Sequence, residues 1–290
     1  MNNATLLNIT DLLKNCDEET FELIVKQFKK DKDARTASRL KNMWFNSRDL
    51  DVKHKLEKLI SALQYKEIEV DIKQWLLSED KDLMELLLTI NKVEYKLDDQ
   101  SYIVKNFERL KQDIWLELNE SLTPLEQFSV MSHMLFKEYG FVVDDGKANI
   151  MGNYLSTVLE YRRGGIFMMS ILYLITARNL GLNVSFVDYV DYPLLAYVDL
   201  DIARMTYSDD NYSPIIFYIN LADEGKIVTR EQMTKHLNER CLHNSHNYKD
   251  ICSDIVIIGK LLENLGAIYK KRNKTKELEE IAAIYKLLKI

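Results

Sequence analysis

Arg162-Arg-Gly-Gly-Ile-Phe-Met-Met-Ser-Ile-Leu-Tyr-Leu-Ile-Thr-Ala177 is the stretch on which the fold turns. Two arginines and two glycines give way to an almost unbroken apolar run. A surface helix would keep one polar face, but here apolar residues fall on every side. The run therefore predicts a buried central helix starting at about Gly165. Arg178 in the last turn and Gly181 just beyond it supply a stop. The run contains Ser170 and Thr176 and is shorter than the ~20 residues that a membrane span requires, so it is expected to build a core rather than cross a bilayer.

Downstream the periodicity changes. Residues 184–189, 193–199 and 214–220 are rich in Val, Ile, Phe and Tyr and are separated by Asp, Asn, Ser and Pro, which predicts sequential antiparallel strands. Gly225 marks a turn, and Thr229 with Gln232 forms a capping box that opens another helix. From Asp254 onward the pattern is helical again. Leu265-Gly266-x-x-Tyr269, a Lys-Arg-Asn turn and a further helix resemble one tetratricopeptide-type hairpin.

Upstream, residues 1–139 hold no glycine and a single proline, Pro124, which argues against a loop-rich or β-rich region. Phe21, Ile24, Val25 and Phe28 fall at helical spacing. Leu56, Leu59, Ile60 and Leu63 do the same, followed by Ile68, Ile72, Trp75 and Leu76 and by Leu83, Leu86, Leu87 and Ile90. Each set is read as its own short amphipathic helix, and together they suggest antiparallel hairpins of the HEAT-like kind. Thr123-Pro124-Leu-Glu126 is a capping box with proline at the first helical position, opening a helix through Phe128, Met131 and Leu135 toward Gly140.

Composition bounds the function. The chain has 290 residues, of which 47% are apolar and 29% charged, with a formal net charge of −6. That is enough for a large core and carries no global basic signal for nucleic acid. Residues 26–58 are locally basic; a solvated helix face explains this better than a docking surface for an acidic partner. Three cysteines, Cys16, Cys241 and Cys252, are too few and scattered for a disulfide framework. The first residues, Met-Asn-Asn-Ala-Thr, lack the positive flank and apolar stretch of a secretory signal. The expectation is a cytoplasmic protein.

A buried helix followed by three strands is the layout of papain-like and transglutaminase-like enzymes. Their chemistry places a thiol at the helix start, where the helix N-terminus and a neighbouring His lower its pKa; a carboxylate or amide on a later strand orients the His. The chain resembles the SirB-one-type proteins, in which a transglutaminase-like domain precedes tetratricopeptide-like helices, and specifically their longer form with a helical N-terminal extension. The resemblance is carried by Leu122-Thr-Pro-Leu-Glu-Gln127, Gly140-Phe141, Asn153-Tyr-Leu-Ser-Thr-Val-Leu-Glu160, Arg162-Arg-Gly164 with Ser170-Ile-Leu-Tyr-Leu174, Ala177-Arg-Asn-Leu-Gly-Leu182 and Ile219-Asn220 through Gly225. It spans roughly residues 80 to 290.

The resemblance implies an α+β, mostly α protein. HEAT-like hairpins (residues 1–80) lead into a transglutaminase-like core with a small antiparallel sheet (81–250) and a tetratricopeptide-like hairpin (251–290). It also locates the departures. The nucleophile position falls on Ile166, the strand His on or next to Tyr192, and its orienting Asp on Asn220. Isoleucine cannot attack a carbonyl, and a tyrosine with a pKa near ~10 is a poor base at neutral pH. No catalytic residue is assigned. The candidate site is a vestigial cleft of Arg162, Arg163, Gly164, Gly165, Ile166, Tyr192 and Asn220, with the arginines either paired to an acid such as Glu160 or a strand Asp, or flanking the cleft for an anionic segment.

Other chemistry is weaker. Cys241-x-His243-x-x-His246 and Cys252 fit no common zinc spacing and read better as a polar loop, so no metal or cofactor is expected. His54, His133 and His236 read as fillers of helical segments, and Met168 and Met169 as core packing. Phosphate loops, His-Glu-x-x-His and Gly-x-Ser-x-Gly are absent. The sequence thus favours a non-catalytic binding, scaffold or regulatory module with a protein or peptide partner, and neither nucleic acid nor membrane. The competing readings are a hydrolase or acyltransferase using Ser170 or Tyr192, and a purely structural subunit whose cleft is filled.

Overall fold

The computed structural model describes residues 9–30, 36–95, 100–144, 150–187, 193–207, 213–239 and 251–289. The chain divides into two compact units, Met1–Asp98 and Asp99–Ile290. Tyr192, Cys241, His243 and His246 lie outside the described residues.

The first unit is built on one long helix. Helices α1 (Ile9–Asn15), α2 (Glu18–Lys30), α3 (Thr36–Asn46) and α5 (Leu83–Asn91) all pack against α4 (Leu50–Leu77). Leu56 to Leu63 and Ile68 to Leu76 were expected to lie on separate short helices, but both lie on α4. The intervening Gln64-Tyr-Lys-Glu67 contains neither glycine nor proline, so nothing interrupts the ladder of backbone hydrogen bonds. Asp49 opens α4 by accepting from the Asp51 and Val52 amides.

The N-terminal half of α4 buries Val52, Leu56, Leu59 and Ile60 against Leu13, Phe21, Phe28 and Leu40. Lys55 lays its stem along this interface and donates to the carbonyls of Leu13 (2.9 Å) and Cys16 (3.1 Å), satisfying orphan groups at the end of α1. The C-terminal half of α4 holds α5 in two ways. Trp75 Nε1 donates to the Asp82 carbonyl at 2.7 Å, and Lys92 reaches Asp71 at 2.6 Å and Glu67 at 3.2 Å. Burial alone would pull the Lys92 pKa down; the Asp71 hydrogen bond and the charges of Glu67 and Asp71 outweigh it, and the net shift is upward.

The second unit surrounds a central helix. In chain order it contains α6 (Gln100–Glu117), α7 (Pro124–His133), a π-helical turn (Met134–Glu138), β1 (Val142–Asp144), α8 (Leu155–Tyr161), β2 (Arg163–Gly165), α9 (Ile166–Asn179), β3 (Val184–Val187) and β4 (Leu194–Val198). There follow α10 (Leu200–Thr206), β5 (Ile215–Asn220), β6 (Lys226–Thr229), α11 (Arg230–Glu239), α12 (Asp254–Lys271) and α13 (Thr275–Leu287). The architecture is α+β and dominated by helix. Helix α9 is the run of apolar residues identified from sequence, and Met168 through Ala177 are all buried.

Strands β3, β4, β5 and β6 form an antiparallel sheet in sequential order. Three of these strands match the expected segments; β6 is an additional edge strand. A second, two-stranded sheet pairs β1 with β2 in parallel, Val142 opposite Arg163 and Asp144 opposite Gly165. Helix α9 packs on β3 and β4, on β1 and β2, on α8 and on α12. Both expected capping boxes form, Thr123 with Glu126 and Thr229 with Gln232. Helices α12 and α13 pack as a hairpin. Three contacts fix α12 to the core: Arg178 forks onto Asp254 (2.5 and 3.0 Å), Asn264 donates to Asn153 (2.8 Å), and the Tyr154 and Tyr269 hydroxyls meet at 2.5 Å.

Behind α9, the Tyr173 and Ser132 hydroxyls lie 2.9 Å apart, and Ser132 also donates to the Gly225 carbonyl at 3.3 Å. Gly225 has φ +76°, and a Cβ there would sit 2.3 Å from Ser132 Oγ. Gly225→Ala combines left-handed strain with a clash at a buried hydroxyl. It is expected to destabilise the protein by about 3 kcal/mol in urea unfolding, while Gly266→Ala, whose added Cβ meets nothing closer than 3.7 Å, shifts the midpoint little.

Candidate functional site

The start of α9 is assembled by close backbone packing. Gly164 is buried, and a Cβ on it would fall 2.9 Å from Val158 Cγ2 and 3.0 Å from Met169 Cγ. Gly152 faces the same point, its own Cβ position 3.2 Å from the Gly165 nitrogen. Glycine is needed here because α8, β2 and α9 approach too closely for a side chain. Gly165 is the N-cap, in extended conformation and with no side chain to satisfy the first helical amides; Ile166, half-buried, is the first helical residue. The position where a nucleophile would feel the helix N-terminus is therefore aliphatic.

Strand β3 follows α9 after residues 180–183 and packs on it. Val187 pairs with Leu194, and Leu195 pairs with Ile219. Asn220 stands one residue beyond Ile219, at the sheet end where β4 begins. Its Oδ1 accepts from the Ala222 amide at 3.0 Å and caps the 3-10 turn Leu221–Asp223, which packs against α9. Asn220 Oδ1 is thus tied to its own turn by one hydrogen bond.

The two arginines part company. Arg163 lies 3.8 Å from Asp144 on the paired strand β1. Arg162 adopts φ +54° at the end of α8, donates from Nη1 to the Tyr139 carbonyl at 2.9 Å, and lies over the Tyr139 ring at 5.3 Å. It therefore lines a groove between α6 and the π turn.

Ser170, one turn into α9, is fully buried, and its Oγ has no hydrogen-bond partner among the described residues. A nucleophilic serine needs access and a base within hydrogen-bond reach, and Ser170 has neither among the described residues. Among the described residues no group of three or more His, Cys, Asp or Glu could hold a metal ion. Among them, too, no helix is long and apolar enough to cross a membrane.

The central helix at a strand-paired glycine turn, followed by an antiparallel sheet, defines a transglutaminase-like core. A family model for the transglutaminase-like superfamily matches residues 101–263, more than half of the chain, and the protein belongs to that superfamily. No curated protein and no solved structure matches the chain. The match begins inside α6 and ends inside α12, within the second unit.

An unpartnered hydroxyl in the core costs about 1 to 3 kcal/mol. Ser170→Ala is accordingly expected to raise stability by about 1 kcal/mol in urea unfolding, with native circular dichroism retained. A loss of stability would mean that the hydroxyl has a partner and that this account of α9 is wrong.

Proposed function

We propose that this transglutaminase-like protein is non-catalytic and acts as a protein- or peptide-binding scaffold or regulatory module. One observation carries the reading: the residue that opens the central helix, where the superfamily's chemistry calls for a thiol, is Ile166. A helix N-terminus can stabilise a thiolate only if a thiol is present. The cleft assigned to recognition comprises Arg162, Arg163, Gly164, Gly165, Ile166, Tyr192 and Asn220.

Within this proposal the chain is a SirB-one-type protein. Its first helices form a HEAT-like repeat region, α12 and α13 form a tetratricopeptide-like hairpin, and it works in the cytoplasm on a protein partner rather than on nucleic acid or membrane. Helical hairpins flanking a core suit peptide recognition, because stacked hairpins present extended concave faces. The enzyme alternative, a hydrolase or acyltransferase with a non-cysteine nucleophile, is weakened at Ser170 by complete burial.

Two experiments test the reading. The wild-type protein is expected to release no ammonia from a glutamine-containing peptide and to hydrolyse no activated ester above background. Ile166→Cys is expected to remain inactive in both assays, because a thiol alone lacks its base. Turnover by the wild type that disappears in Ser170→Ala or Tyr192→Phe would overturn the proposal in favour of the enzyme. Separately, affinity capture from native lysate with wild type and a folded Tyr192→Ala, Asn220→Ala variant is expected to enrich a partner that the variant loses. Identical captures would place recognition outside the cleft.

A further inference from the structure

A half-open groove of about 500 Å³ lies between α6, the π turn and the end of α8, and Ile166 is not among its lining residues. That volume lies within the range of small-molecule sites. Two backbone departures border it. Met134–Glu138 is a π-helical turn, and Arg162 is a non-glycine residue at φ +54°. Single π turns inserted in helices and left-handed non-glycine residues both concentrate at functional sites, since each costs stability that packing must offset.

The charges in the groove divide into engaged and unengaged. Asp113 accepts the Tyr139 hydroxyl, Glu138 lies 3.2 Å from His133 Nε2, and Arg162 is held to the Tyr139 carbonyl. Burial, followed by the Asp113 hydrogen bond and charge, pushes the Tyr139 phenol up to about 12, with Arg109 and Arg162 pulling the other way. Tyr139 therefore stays a neutral donor at physiological pH, and the Asp113 carboxylate stays occupied. Two charges remain. Among the described residues neither Arg109 on α6 nor Glu160 on α8 forms an ion pair, with each other or with a neighbour. They line one cavity from different elements and carry opposite signs.

A simple anion would meet Arg109 but also Asp113, Glu138 and Glu160, so the lining as a whole disfavours it. A simple cation meets two guanidinium groups. A molecule carrying both signs satisfies both unengaged charges at once. We propose that this groove binds a small zwitterion of the dipeptide class, its carboxylate taken by Arg109 with Arg162 beside it and its ammonium by Glu160. Leu110, Leu159 and the stacked Tyr139–Phe141 pair, ring centroids 6.3 Å apart, supply apolar surface for the ligand's side chain. The site does not depend on whether the Ile166 cleft is catalytic.

Isothermal titration calorimetry with glycyl-phenylalanine tests this, using the full chain. The free dipeptide is expected to bind at least ~10-fold more tightly than its N-acetyl form, its amide form or inorganic phosphate, since each probe loses one charge-assisted contact. Arg109→Met and Glu160→Gln, both at exposed positions, are each expected to weaken the dipeptide ~10-fold while leaving the thermal midpoint unchanged. Equal binding of the acetylated form, dipeptide binding indifferent to both variants, or no binding of the free dipeptide would each overturn the proposal.

Discussion

Helix α9 has no polar face, so it must be covered on all sides, and the second unit is arranged to cover it. The sheet takes one side, α8 and the β1–β2 pair another, and α12 a third. A helix of this kind cannot rotate to hide a wrong residue, because Met168 through Ala177 are all interior. That explains why its few polar groups are either satisfied or costly. Thr176 bonds back to the Leu172 carbonyl at 2.7 Å and Tyr173 to the Phe128 carbonyl at 3.3 Å, while Ser170 has no partner among the described residues. Covering the helix start also brings Val158 and Met169 so close to Gly164 that a Cβ there would fall 2.9 and 3.0 Å from their side chains.

The same constraint shapes the chemistry available. The N-terminus of a buried helix concentrates partial positive charge in a poorly solvated place, which is why the superfamily's thiols belong there. In this chain that field meets an isoleucine side chain. The surrounding geometry persists because it serves packing: the glycine turn, the β1–β2 pair and the Asn220 cap each have a structural task that does not depend on turnover.

Polar side chains line a groove elsewhere on the unit. Tyr102, Asn106, Arg109 and Asp113 fall at i, i+4, i+7 and i+11 on α6, flanking the buried stripe of Ile103, Phe107, Leu110 and Ile114. This polar stripe was present in the sequence, where it resembles any solvated helix face. It becomes one wall of a groove because the π turn brings Glu138 and Tyr139 toward it and the left-handed Arg162 turns its guanidinium over the Tyr139 ring.

The sequence alone determined what depends on a few neighbouring residues or on a long periodic pattern. The capping boxes at Thr123 and Thr229 are reciprocal contacts across one turn, and each formed as read. The apolar run from Ile166 forced a buried helix, and the three strand segments after it paired in order. Tertiary structure decided what depends on partners distant in the chain. Two hydrophobic repeats fused into one 28-residue helix because no breaker separates them and other helices pack along its length. The parallel β1–β2 pair involves three residues from each strand, two of them glycine in β2, and is held by the segments around it rather than by strand propensity. Arg162 and Arg163 are adjacent and chemically identical in sequence; only the backbone turn at Arg162 sends one to Asp144 and the other to Tyr139, because a side chain's direction follows φ and ψ and the fold sets these.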